Sequence, residues 1–160
     1  MGSVSRREGE GDKVLATNRK ALFRYEVLER AEAGVALVGT EVKSIRDGGL
    51  NFSDSFVEFR GGELFLVGCR IAPYSHGNLM NHAPERDRKL LLHKREILKL
   101  GGKATGKGLT LVPLRAVLRR GRVKVEIGLG RGKRAHDKRE AIRRRDEERE
   151  TRREMGRRRQ

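Results

Sequence analysis

Between Lys133 and Gln160 the only apolar residues are Ala135, Ala141, Ile142 and Met155, so no helix formed there can lay a continuous apolar face on a core. Whatever hydrophobic interior the chain builds must come from the residues before that segment. A chain of 160 residues suits one ordinary core plus an appendage rather than two domains. Residues 1 to 13 combine Gly, Ser and charge without periodicity and read as a flexible leader. The expected organisation is therefore a leader over 1–13, a folded body over 14–132 and a basic tail over 133–160. In the tail, Arg, Glu, Lys and Ala are good helix formers, and Glu140 with Arg144 and Glu148 with Arg152 are spaced to attract while Glu150 with Glu154 repel. An isolated helix of this kind is marginal in water. The tail is expected to be disordered alone and helical on a negatively charged surface.

Charge narrows the partner. The formal net charge is +16, which makes an anionic polymer the first candidate. Basic residues cluster at Asn18-Arg19-Lys20, Lys43 to Arg46, Arg86 to Lys89, Lys94-Arg95, Arg119 to Lys124 and Arg131 to Arg139. Any single cluster is as well explained as a solvated face. Six of one sign repel one another, and phosphates along a nucleic-acid backbone would neutralise them. No segment has the roughly 20 apolar residues of a membrane span, and Met1 to Asp12 lacks the apolar middle of a signal peptide, so a cytoplasmic location is expected. Cys69 is the only cysteine, which excludes an internal disulfide and a cysteine-rich zinc site.

Periodicity outlines the body. Phe23, Tyr25 and Val27 alternate with Arg24 and Glu26 and predict a strand over 22–29, followed by a second over 33–38. Thr40 is placed to cap a short helix over 41–46, which Asp47-Gly48-Gly49 stops. Runs over 54–59 and 64–71 flank Arg60-Gly61-Gly62-Glu63 and predict a hairpin. A polar loop spans 73–85. Leu91, Leu92, Ile97, Leu98 and Leu100 predict a helix over 88–100 with Gly101-Gly102 as its stop, and this periodicity makes Leu91 a core residue. Strands over 109–113, 115–118 and 122–129 complete the body. The expected fold is mainly β with flanking helices, an α+β arrangement around a small closed or nearly closed barrel.

Catalytic and metal signals are weak. His76 and His82 read as surface histidines of a mobile loop, because further ligands at suitable spacing are missing. Asp54 and Glu58 share a strand face with Phe56 rather than forming an acid–base pair. Ser53 and Ser55 lack a nucleophile-elbow context, and the 101–108 segment lacks full phosphate-loop spacing. No cofactor and no metal are expected.

Several blocks in order carry a resemblance: Asn18-Arg19-Lys20, Glu32-Ala33-Gly34, Gly39-Thr40-Glu41-Val42-Lys43-Ser44-Ile45-Arg46, Asp54-Ser55-Phe56-Val57, Arg88-Lys89-Leu90-Leu91-Leu92-His93, Gly132-Lys133 and His136-Asp137-Lys138-Arg139. From about Leu15 to Arg139 the chain resembles the SmpB family of SsrA-binding proteins. The resemblance implies an OB-like barrel with flanking helices. It also implies binding of transfer-messenger RNA and its delivery to stalled ribosomes for trans-translation, which rescues the ribosome and tags the nascent chain for degradation. Elongation factor Tu with aminoacylated transfer-messenger RNA is a further implied partner, and a monomer is expected.

The resemblance assigns residues as well. Asn18, Arg19, Lys20, Glu32, Lys89, Leu91 and Lys124 would hold transfer-messenger RNA. Glu32 among cations is chemically reasonable, because a carboxylate accepts from base amino groups or orients an arginine. Gly132 and Lys133 would lead into the ribosomal decoding centre, where His136 would stack on a base and Asp137, Lys138 and Arg139 would steer the tail. Beyond Arg139 the match is one of character, with Met155 the apolar residue near the end. A structural ribosomal protein, or a general RNA-binding protein with a basic extension, would share the charge and the tail. An RNA-modifying enzyme would need a catalytic constellation, and none is legible.

Overall fold

The computed structural model describes residues 12–77, 80–105, 108–133 and 135–158, without the side chains of 135–138, 140–141 and 154–158. Most of the leader, the middle of the 101–108 segment and Arg134 of the Arg131 to Arg139 cluster lie outside the described residues. The elements run β1 (Lys13–Thr17), α1 (Arg19–Arg24), β2 (Tyr25–Val35), α2 (Gly39–Arg46), β3 (Leu50–Asn51), β4 (Phe56–Arg60), β5 (Glu63–Val67), β6 (Arg70–Ile71) and β7 (Arg88–Leu91). Then follow α3 (Lys94–Ala104), β8 (Leu109–Arg119), β9 (Arg122–Gly132) and α4 (Ala135–Arg158).

Six strands pair antiparallel in the order β8, β4, β5, β7, β2, β9, and β9 returns to β8, which closes a small barrel. Closure removes the unpaired edges that would otherwise invite association. β1 adds to the half of β8 that β4 leaves open, and β3 with β6 forms a separate short ladder. Alternation does the sorting: Leu64, Leu66, Leu90, Leu111, Val125, Ile127 and Leu129 point inward and are buried. α3 packs Ile97 and Leu100 onto this interior. At the opposite end of β9 from Gly132, Ile45 of α2 packs with Ile71 and Val123.

Both tight hairpins turn through left-handed backbone. Gly61 and Gly62 have φ of 59° and 78°, and Arg120 and Gly121 have 50° and 75°. This is the turn geometry that matches strand twist.

Several local expectations change. Residues 22–24, expected to open a strand, instead complete α1, because Asn18 caps the helix and Ala21 packs on Val112 and Leu114. One long β2 replaces two strands. The predicted helix over 88–100 divides into β7 and α3: Arg88 and Leu90 are buried while Lys89 and Leu91 are exposed, a period of two imposed by pairing with β5 and β2. Gly101 lies inside α3 instead of ending the helix. A Cβ there would sit 2.5 Å from the Phe59 ring, so the glycine permits close approach. Val38, not Thr40, precedes α2, and the Glu41 carboxylate accepts from the Val38 amide at 3.0 Å. Asp54 lies in the turn before β4, so it shares no strand face with Glu58.

Candidate nucleic-acid interface

Three adjacent strands build a groove on the barrel wall. In β2, Glu32 stands opposite Glu126 of β9, and Gly34 stands opposite both Lys124 of β9 and Leu91 of β7. Two facing carboxylates would repel, and arginines offset them. Arg30 donates to Glu126 at 2.6 Å, Arg115 donates to its other oxygen at 2.8 Å, and Arg119 Nε lies 3.1 Å from Glu32 Oε2. The Arg119 contact counts as an ion pair and not as a good hydrogen bond, since its Nε lacks a well-aligned acceptor. Burial pushes the Glu126 carboxyl up, but the hydrogen bonds from Arg30 and Arg115 outweigh it and hold it below the ordinary carboxylate value.

The groove holds a volume of about 1160 Å³ and is lined by Glu32, Lys89, Leu91 and Lys124 among others. Gly34 forms its floor: a Cβ there would lie 3.3 Å from Leu91 Cβ and 3.6 Å from Lys124 Nζ. Leu91 is 50% exposed, which overturns the expectation of a core residue. Among the described residues Lys124 has no carboxylate partner, and Lys89 has only Glu63 at 3.7 Å. The groove therefore offers available cations, an apolar patch and one carboxylate with an unused oxygen. Such a lining suits a sugar–phosphate backbone with bases beside it.

A second region forms around α1. Asn18 is 5% exposed: its amide side chain donates to Pro113 at 2.8 Å and accepts from Ala21 at 3.2 Å, while its backbone donates to Leu114 at 2.8 Å. Both acceptor carbonyls belong to the β8 bulge, so Asn18 fixes the angle of α1. Arg19 and Lys20 project outward, and Lys20 and Arg24 reach Asp54 at 3.7 and 3.4 Å. Gly132 ends β9 opposite Tyr25. Lys133 then donates from its backbone to Arg24 at 2.8 Å and from Nζ to Leu22 at 3.1 Å, closing the C-terminus of α1. The Arg145 guanidinium of α4 stands 5.6 Å from the centre of the Phe23 ring.

A family model described as SmpB protein matches residues 15–157. The chain belongs to the SmpB family. It is 54% identical to the SsrA-binding protein of Thermosynechococcus vestitus over 92% of this chain and 97% of that protein. It is 50% identical to that of Oleidesulfovibrio alaskensis over 95% and 98%. A solved chain described as "tmRNA-SmpB: a journey to the center of the bacterial ribosome" superposes with a TM-score of 0.65 at 52% identity, covering 81% of this chain and 94% of that one.

In this SmpB family member the fold gathers Glu32, Lys89, Leu91 and Lys124 into one groove. It sets Asn18, Arg19 and Lys20 apart on α1, and Asn18 is spent on the cap. His136, Asp137, Lys138 and Met155 lie within the α4 backbone, their side chains outside the described residues, while Arg139 is exposed. The tail forms the helix α4 over Ala135–Arg158, the conformation expected of it on a negatively charged surface. Strong helix formers and contact with α1 supply the physical reason.

Periodicity also missed the supporting residues. Arg30, Arg115 and Glu126 alternate outward on three strands, but which arginine meets which carboxylate depends on register. Arg88, one of a predicted surface cluster, is fully buried against Glu41 at 2.7 Å. His82 is no mobile surface histidine: its ring joins Thr40 Oγ1 and the Ile71 carbonyl, each at 2.9 Å. Cys69 is buried, and burial pushes its thiol up to about 12. Among the described residues no helix is long and apolar enough to cross a membrane, and no side-chain cluster fits a metal ion.

Proposed function

We propose that the chain binds transfer-messenger RNA and delivers it to stalled ribosomes for trans-translation. One observation supports this most: Glu32, Lys89, Leu91 and Lys124, distant in sequence, line a single cationic groove in a member of the SmpB family. Lys89 and Lys124 hold phosphates, Leu91 supplies an apolar seat, and Glu32, oriented by Arg119, keeps an oxygen for a base amino group. Arg19 and Lys20 add a second hold on α1, with Asn18 acting by position. The body over 14–132 does this work as a rigid unit behind the 1–13 leader. The tail over 133–160 continues from the lysine that closes α1.

In this reading Gly132 and Lys133 direct the tail into the decoding centre. His136 stacks there while Asp137, Lys138 and Arg139 steer, and the segment out to Met155 probes the empty message channel. Message and tail compete for one space, so a vacant channel is what admits the tail. The chain acts by binding and not by catalysis, in the cytoplasm as a monomer, with elongation factor Tu joining through the aminoacylated RNA.

The test compares the full chain with one ending at Lys133, which retains the Lys133 bonds to Leu22 and Arg24 of α1. Both are expected to capture transfer-messenger RNA from cells, and only the full chain to support tagging on stalled ribosomes in a reconstituted system. Equal tagging by the two would remove the tail's role. Capture of bulk ribosomal RNA alone would favour a structural ribosomal protein.

A further inference from the structure

The barrel's cations are unevenly satisfied. Arg24, Arg60, Arg70, Lys103 and Arg131 each have a carboxylate within reach. Other cations, Lys124 and Arg19 among them, have none among the described residues, and four of these gather at the β8–β9 hairpin tip. Lys13, Arg46, Arg120 and Arg122 are exposed, and among the described residues none has a carboxylate partner. They converge from three elements: Lys13 pairs with Leu118 beside the tip, and Arg46 at the end of α2 donates to the Gly121 carbonyl at 3.3 Å. Asp12 is committed to Arg119 at 2.6 Å, and exposed Asp47 pairs with none of the four.

The turn itself points to a ligand. Gly61-Gly62 and Arg120-Gly121 turn through the same left-handed backbone, but the second places an arginine at φ 50°. An L side chain is strained there, and glycine or asparagine would serve better. Arg46 has a structural use, tying α2 to the tip, but Arg120 has no bond to the rest of the barrel among the described residues. Its side chain is projected clear of the fold at a conformational cost. Among the described residues none of the four cations stands over an aromatic ring, so the surface suits phosphates rather than stacked bases.

Continuity decides the path. Arg122 and Lys124 lie two residues apart on the same face of β9, and Arg119, which orients Glu32 in the groove, is register partner to Arg122. The far end of β9, where Gly132 meets α1, is roughly 33 Å away at the usual rise per residue. We infer that the hairpin tip and the α2 C-terminus form a second phosphate-binding surface, continuous with the groove, which takes the backbone of an RNA helix without reading its bases. This rests on the RNA-binding role proposed above and extends it to Lys13, Arg46, Arg120 and Arg122.

The experiment uses the full chain carrying Arg46→Gln, Arg120→Asn and Arg122→Gln together. Arg120→Asn relieves the backbone strain, and a thermal midpoint no lower than that of Arg46→Gln alone confirms folding. Binding is titrated against salt in two arms, free transfer-messenger RNA and vacant ribosomes, which separates the two sources of phosphate. Removing about three phosphate contacts should make the log K against log salt slope shallower by about 2 to 3 and weaken binding about tenfold or more near 0.1 M salt. Such a change in the first arm assigns the surface to transfer-messenger RNA, and in the second arm to ribosomal RNA. Unchanged slope and affinity in both arms overturn the inference. If the unaltered chain binds neither RNA, the proposed function itself fails, a result distinct from failure of the tip.

Discussion

The barrel and the tail are both rich in charge, but they use it in opposite ways. In the barrel, tertiary register pairs charges that are far apart in sequence: Glu41 with Arg88, Glu126 with Arg30 and Arg115, Glu32 with Arg119. In α4 the described pair is local, Arg143 with Glu147 at 3.9 Å, both well exposed. Burial multiplies the first kind of interaction, and water screens the second. Barrel charges thus shape a surface that exists before any RNA arrives. Tail charges remain available to whatever the tail meets.

The sharpest break in that comparison is Glu41→Gln. Glu41 and Arg88 are both fully buried, and the carboxylate also accepts from Arg86 and from the Val38 amide. The exchange leaves the Arg88 cation without its counter-charge, at a cost of about 3–5 kcal/mol in urea unfolding. Arg88 also donates to the Cys69 and Pro84 carbonyls at 2.5 and 3.0 Å, so the loss should loosen the 73–85 loop as well. Replacing both partners with apolar residues, Glu41→Leu with Arg88→Met, should cost less than the single change. A single variant as stable as the parent would mean that the pair does not differ in kind from the tail's.

Acid provides the next test. For Glu41, burial raises the carboxyl, but hydrogen bonds from Arg86, the Val38 amide and Arg88 outweigh it and lower the folded value. Glu126 is lowered in the same sense by Arg30 and Arg115. A lowered carboxyl contributes stability that is fully present above its ordinary value of 4.5 and is lost as pH falls through the folded value. The urea midpoint should therefore hold steady toward pH 5 and drop below about 4.5, with a flatter drop in a Glu126→Gln variant. A midpoint independent of pH below that point would contradict the hydrogen-bonded assignment.

The smallest effect belongs to the tail. Glu147→Gln removes an exposed pair in the less favourable order, worth about 0.2–0.5 kcal/mol to an isolated helix. A slight loss of helical circular dichroism is expected, with no shift in the barrel's unfolding midpoint. A shifted midpoint would show that α4 and the barrel unfold as one unit, and would make the Phe23–Arg145 contact a structural joint.

Legibility in the sequence followed the same division. The glycine-bearing hairpin over 60–63 and the mainly β body are readable, since turn chemistry and period-two alternation are local signals. The sequence pattern misplaces Leu91 because Leu-rich runs satisfy a helical period as readily as a strand's. Only pairing of β7 with β2 and β5 decides that Arg88 and Leu90 go in and Lys89 and Leu91 go out. The resemblance groups Asn18 with its RNA-binding neighbours, but a buried cap is invisible until the Pro113 and Leu114 carbonyls are brought to it.

By itself, the sequence determined the charge, the strand-rich body and a tail that cannot bury a face, because these depend on composition and on neighbours within a few residues. The tertiary structure alone decided which cations remain available. Whether an arginine ends beside Glu126, against Glu41 or at an open hairpin tip depends on strand register across the closed barrel, and residues on separate strands come into register only when the ring closes.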